Sequence, residues 1–198
     1  GKPDTVYLDM LSVYNLKVHT IPPVFLDSIV LDDTKHNIIE VPAPQGSLLV
    51  NIKGDNPDNN KIKCIVRKSG LPNTIHILDA DKTQKYLTGL YDLEILTNPR
   101  IYKDAVKINQ SKTTIIEIEE PGDVIINFKN ESFGTLVYEE GKLLTNIYDF
   151  TPDNNHYRFR LQPGYYRIVY REKNKTSSGN TGEKKFRVLE GKTVVHNL

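Results

Sequence analysis

The chain nearly repeats itself at a spacing of about 77 residues, the step from Tyr14 to Tyr91. Tyr14-Asn-Leu-Lys-Val-His-Thr20 returns as Tyr91-Asp-Leu-Glu-Ile-Leu-Thr97. Ile29-Val-Leu31 returns as Val106-Lys-Ile108, and Ile38-Ile-Glu-Val41 as Ile115-Ile-Glu-Ile118. Pro44-Gln-Gly46 and Leu48-Leu-Val-Asn-Ile52 match Pro121-Gly122 and Val124-Ile-Ile-Asn-Phe128. Gly164-Tyr-Tyr-Arg-Ile-Val-Tyr170 is a late return of the Tyr14 motif. A repeat of this length restricts the chain to neighbouring copies of one small module. It bears on architecture far more than on activity.

The copies read as strands. Tyr14, Leu16 and Val18 alternate with Asn15, Lys17 and His19, the period of two that puts alternate side chains on opposite faces. The same alternation gives an inward set Leu48, Val50 and Ile52, and another of Ile62, Cys64 and Val66. Asn37–Val41, Asp123–Lys129, Gly134–Glu139, Leu143–Tyr148 and Tyr157–Leu161 also read as strands, with Val6–Leu8 and Met10-Leu11 as a candidate edge. Lys185–Leu189 and Thr193–Val195 read as a closing pair around Glu190-Gly-Lys192. Pro22-Pro23, Gly54–Asn60, Ser69–Asn73 and Thr151–Asn155 interrupt the pattern as turns. Lys173–Glu183 is nearly free of apolar residues and reads as a mobile loop. No stretch offers an amphipathic helix of three turns.

The expected fold is all-β, with two small antiparallel β-sandwich modules in tandem and an N-terminal partial repeat. Residues 1–44 are the partial repeat, packed on the first module, which covers 45–118; the second covers 119–198. The parity of matched strands predicts a first core with Leu48, Val50, Ile52, Tyr91 and Leu93. It predicts a second with Val124, Ile126, Phe128, Tyr166 and Ile168. Residues before Gly46 match only the last part of a module. Tyr14, Leu16, Val18 and Ile29 therefore need cover from the first module or from another chain, because bare alternating strands invite aggregation.

Charge is balanced, with 26 basic and 25 acidic residues, so nothing argues for a nucleic-acid partner. The basic stretch at Arg167–Lys175 and Glu183–Arg187 reads as a solvated face. No apolar run approaches the roughly 18 residues of a spanning helix, so no direct membrane insertion is expected. The single cysteine, Cys64, excludes an intrachain disulfide and reads as a small core residue.

The five histidines form no closely spaced pair, and a zinc site needs three or four converging ligands. Asp79-Ala-Asp81 and Asp55-Asn-Pro-Asp58 lack the spacing of a calcium loop and read as solvated turns. There is no phosphate loop, nucleophile elbow or Cys-x-x-Cys. Glu119-Glu120 and Glu139-Glu140 are adjacent, which in a strand sends them to opposite faces. The chain is therefore expected to be no enzyme, with no cofactor, no catalytic residue and no metal site. Eleven tyrosines stand against no tryptophan. Tyr138, Tyr157, Tyr165 and Tyr170 are the candidate ligand-binding residues, as an aromatic contact surface for protein or carbohydrate. Tyrosine is equally a plain sheet-builder.

Gln162-Pro-Gly-Tyr-Tyr-Arg-Ile-Val-Tyr170, with Phe186-Arg-Val-Leu-Glu-Gly-Lys-Thr-Val194, resembles the end of a carboxypeptidase regulatory-like domain, a family with the transthyretin-like (prealbumin-like) fold. Leu87-Thr-Gly89 in the first module lacks the corresponding proline. Tyr91-Asp-Leu-Glu-Ile95, Pro99, Lys112-Thr-Thr114 and Pro121-Gly122 also resemble the tails that follow von Willebrand factor A domains in proteins of Bacteroidetes. The metal motif Asp-x-Ser-x-Ser of that domain is absent. The resemblance implies an accessory or protein-interaction module of a larger envelope-associated or exported bacterial protein. Its expected location is the periplasm or cell surface. Its expected partner is a protein, with an upstream von Willebrand factor A domain of the same chain as a candidate. Carbohydrate binding through exposed tyrosines is the alternative.

Overall fold

The computed structural model describes residues 8, 9, 11–175 and 181–198. Most of the candidate edge strand at Val6–Leu11 and the middle of the Lys173–Glu183 loop lie outside the described residues. The chain is all-β, with two β-sandwiches in tandem behind an N-terminal hairpin.

The first sandwich uses β3 (Gln45–Ile52), β4 (Lys63–Lys68), β5 (Thr74–Asp79), β6 (Thr83–Leu87), β7 (Gly89–Ile95), β8 (Ile101–Ile108) and β9 (Thr113–Ile118). One sheet runs β6-β3-β9 and the other β5-β4-β7-β8. The second uses β10 (Gly122–Asn127), β11 (Ser132–Glu140), β12 (Leu143–Phe150), β13 (His156–Leu161), β14 (Gly164–Glu172), β15 (Gly182–Val188) and β16 (Thr193–Asn197). Its sheets run β13-β10-β16 and β12-β11-β14-β15, the same order with the same handovers. The hairpin is β1 (Val13–Val18) with β2 (Val24–Val30).

Alternation does the sorting. Leu48, Val50 and Ile52 on β3 are buried while the residues between them keep some exposure. Val124 and Ile126 on β10 behave alike, and Phe128 follows in the same parity. The other predicted core residues, Tyr91, Leu93, Tyr166 and Ile168, are buried as well, in two separate clusters. Gly46 and Gly122 open the central strands where chains cross closely. A Cβ on Gly46 would lie 2.1 Å from the Asn109 carbonyl oxygen, and one on Gly122 2.7 Å from that of Leu189.

Three strand-level expectations differ from what the chain does. Lys185–Leu189 and Thr193–Val195 are not a hairpin. β15 pairs with β14, whereas β16 crosses to the other sheet and pairs parallel to β10. β9 pairs parallel to β3 in the same way, so each sandwich contains one parallel pair among its antiparallel ones. A four-residue turn joins two strands without dictating that they bond to each other. Residues 37–41 form no strand despite their alternation, because no strand among the described residues pairs with them. Conversely β2 begins at Val24, directly after Pro22-Pro23, and runs well before the Ile29–Leu31 segment.

Candidate functional site

The two sandwiches meet end to end, and the meeting point forms a concavity. The turn between β7 and β8 reaches the start of β14, where the Gln162 N–H donates to the Asn98 carbonyl oxygen at 2.8 Å. On the other side, Arg160 of β13 donates through Nη2 to Asn59 Oδ1 at 2.6 Å. The same Nη2 lies 3.9 Å from Glu120 Oε1. Glu120 packs its carboxylate over Gly54 of the first module and Gly191 of the second. Charge and backbone thus clamp the joint from both flanks.

Beside the Asn98–Gln162 contact lies a cleft of about 830 Å³. Asn98–Lys103 and Glu117–Glu119 of the first module form one wall; Tyr138, Leu143, Thr145–Ile147 and Gln162-Pro163 form the other. Tyr102 and Leu143 are each 61% exposed there. Gln162 is buried, its carbonyl accepts the Tyr166 hydroxyl at 2.7 Å, and its Nε2 has no protein partner. Arg100, at the mouth, pairs with Glu94, which also accepts from Arg67 Nη2 at 2.8 Å. Foremost the Arg67 hydrogen bond, and then Arg100, hold the Glu94 carboxyl below its ordinary range despite burial. The cleft combines apolar edges with polar and charged side chains.

The four candidate tyrosines do not share one surface. Tyr157 is buried, with its hydroxyl donating to the Thr151 carbonyl at 2.8 Å. Tyr170 is half-buried and covers Phe128 at a ring separation of 5.6 Å. Tyr138 packs on Tyr166 at 5.1 Å and reaches the cleft with part of its ring. Tyr165 is 57% exposed, on the opposite face of the same sheet, with the Arg187 guanidinium 5.4 Å over its ring. Sequence reasoning missed Tyr102, Leu143 and Gln162, the residues that the cleft gathers. Tyr102 and Leu143 carried one sequence signal, an apolar residue at outward parity beside a turn, and Gln162 carried none.

The histidines stay apart. His76 Nδ1 lies 2.7 Å from the Tyr86 hydroxyl, and His156 Nδ1 lies 2.6 Å from Asn127 Oδ1. His196 packs against Phe186 at 4.4 Å, and burial, with the Lys184 charge, lowers its pKa. Among the described residues no group of three or more His, Cys, Asp and Glu side chains is placed to hold a metal ion. Cys64 is buried within the first core, and that burial pushes its thiol up to about 12.

No protein-family model matches the chain. No curated protein matches it either. Among solved structures it is similar to the Bacillus anthracis TIE protein, at 15% identity and a TM-score of 0.30, over 89% of this chain and 37% of that one. It is also similar to GBS52, the minor pilin of the gram-positive pathogen Streptococcus agalactiae, at 10% identity and a TM-score of 0.34, over 79% of this chain and 94% of that one. Likeness at that level carries nothing about either protein's role over to this chain.

Proposed function

We propose that the chain is a non-enzymatic accessory segment of a larger bacterial envelope-associated or exported protein. In this reading its transthyretin-like, carboxypeptidase regulatory-like modules stack in series and hold a partner protein in the cleft between them. The observation that carries it is the cleft itself, where Tyr102 and Leu143 expose apolar surface beside the buried, unpartnered Gln162 amide. Such a mix is the anatomy of a polypeptide contact, with an apolar centre and a polar rim. A von Willebrand factor A domain of the same polypeptide is the partner that the sequence resemblance favours.

A photo-crosslinking residue at Tyr102 or Leu143, exposed to the envelope fraction of the source cells, tests this. One defined protein should be captured from both positions, and Gln162→Ala should weaken capture at least several-fold. Equal capture from a remote position such as Lys185 would sink the proposal. So would tight binding of soluble glycans with no protein captured.

A further inference from the structure

The hairpin β1–β2 copies β7–β8 in detail. Its five pairings, Val13↔Val30, Tyr14↔Ile29, Leu16↔Leu26, Lys17↔Phe25 and Val18↔Val24, each recur 77 residues later, from Leu90↔Lys107 to Ile95↔Ile101. Both hairpins slip register at the same place. There Ser28 and Ala105 take positive φ values of 61° and 53°. Their N–H groups are held by Asn15 Oδ1 at 3.0 Å and Asp92 Oδ1 at 2.8 Å. The Thr20 and Thr97 hydroxyls each donate to a proline carbonyl, of Pro22 and Pro99, at 2.7 Å. Even the handover recurs: Leu87 N–H donates to the Ile21 carbonyl at 2.8 Å, as Gln162 N–H does to that of Asn98.

Only the cover differs. Leu93 is 2% exposed and Leu16 is 38% exposed. Ile21 packs on the first core, so the hairpin touches that module through its turn and not through its apolar face. β7 lies between β4 and β8, whereas β1 pairs with β2 alone among the described strands. Residues 36–41 correspond to β9, which is a strand through its parallel pairing with β3; residues 36–41 form no strand. Among the described residues two segments thus lack two different partners, and both partners belong to one sandwich: a strand like β4 and a strand like β3.

We propose that residues 13–41 are the closing part of a third sandwich, whose opening strands come from the same polypeptide on the N-terminal side of Gly1. A second copy of this chain is a poor donor. Its β3 already sits between β6 and β9, and its β4 between β5 and β7. Chain order fits the upstream source, since β3 to β6 precede β7 in the complete module. The inference rests on the repeat alone and stands or falls independently of partner binding at the cleft.

The test compares amide hydrogen exchange of residues 1–198 with that of the product of the full natural reading frame. In the longer protein, amides of residues 13–18 and 36–41 should gain protection on the order of a hundredfold, reaching that of 90–95 and 113–118. Unchanged exchange at 36–41 overturns the proposal, as does a reading frame with no upstream strand-forming stretch. Protection that appears in residues 1–198 alone, together with a dimer in sedimentation, overturns it in favour of self-association.

Discussion

The two sandwiches share a strand order but fill it differently. In the first, Cys64 on β4 faces Ile95 on β7; in the second, Gly134 on β11 faces Tyr170 on β14. A Cβ on Gly134 would come within 2.4 Å of the Val169 carbonyl oxygen and 3.0 Å of Tyr170 Cβ. One pair shares bulk between strands, and the other places it all on one side. Four residues further along, Lys68 lies over Tyr91 in the first module, where Tyr138 lies over Tyr166 in the second. The second core is richer in aromatics, with Phe128, Phe150 and Tyr157 in mutual edge contact, whereas the first is mostly aliphatic. What a duplicated sandwich retains is total volume across a facing pair, because close-packed interiors tolerate exchange of volume between neighbours better than net loss or gain.

The largest effect that can break this comparison is truncation of a matched core residue. Tyr166→Ala should cost about 3–5 kcal/mol, and Ile126→Ala about 2–5 kcal/mol, in chemical denaturation. Both should spare the first module. Its reporter is Cys64, whose raised pKa and burial keep the thiol unreactive near neutral pH until that module opens. Faster labelling of Cys64 in Ile126→Ala would show that the two cores unfold as one.

Next come the crossing glycines. Gly46→Ala and Gly122→Ala should each destabilise by about 1–3 kcal/mol through overpacking. Gly46 should be the costlier, since its added Cβ meets backbone at 2.1 Å against 2.7 Å. The reverse order of melting temperatures would mean that the two crossings relax differently.

Acid should separate the modules. Glu94 pairs with Arg67 and Arg100, whereas the corresponding position of the second module holds Val169. A carboxyl held below its ordinary pKa of 4.5 contributes stability above that pH and loses it as the pH falls through the folded value. In the second module, half-buried His196 has a pKa below its ordinary 6.5. Its contribution is complete above pH 6.5 and declines as the pH falls below it, because the unfolded chain takes up the proton first. Resolved methyl signals should therefore show the second module weakening from about pH 6.5 and the first from about pH 4.5. Glu94→Gln should cost about 1–3 kcal/mol at pH 7 and flatten the lower step. A lower step that survives this change would assign it to other carboxylates.

The smallest test concerns a shared hydrogen bond. Tyr91 and Tyr166 each donate to a carbonyl four residues earlier, Leu87 and Gln162, both at 2.7 Å. Tyr91→Phe and Tyr166→Phe should cost a similar 0.5–1.5 kcal/mol or so. A cost at Tyr166 well above that at Tyr91 would mark Gln162 as part of a wider network at the cleft.

The candidate site was less legible than the fold. Of the four candidate tyrosines, Tyr138 lines the cleft, Tyr157 and Tyr170 serve the core, and Tyr165 faces the far side of its sheet. Sequence parity says which face a residue takes. It says nothing of which second module will stand beside that face, so Tyr102 and Gln162 gave no signal of belonging together.

The sequence by itself determined the all-β class, the 77-residue repeat and the inward parity of Leu48, Val50, Ile52, Val124 and Ile126, because side-chain alternation is a local property of an extended chain. Strand partnership was decided only in three dimensions. Ile115–Ile118 and Ile38–Val41 are nearly the same string, yet one is a strand and the other is not. A β-strand has its hydrogen-bonding partners outside itself, so the same residues fold or stay bare according to whether a strand like β3 lies alongside.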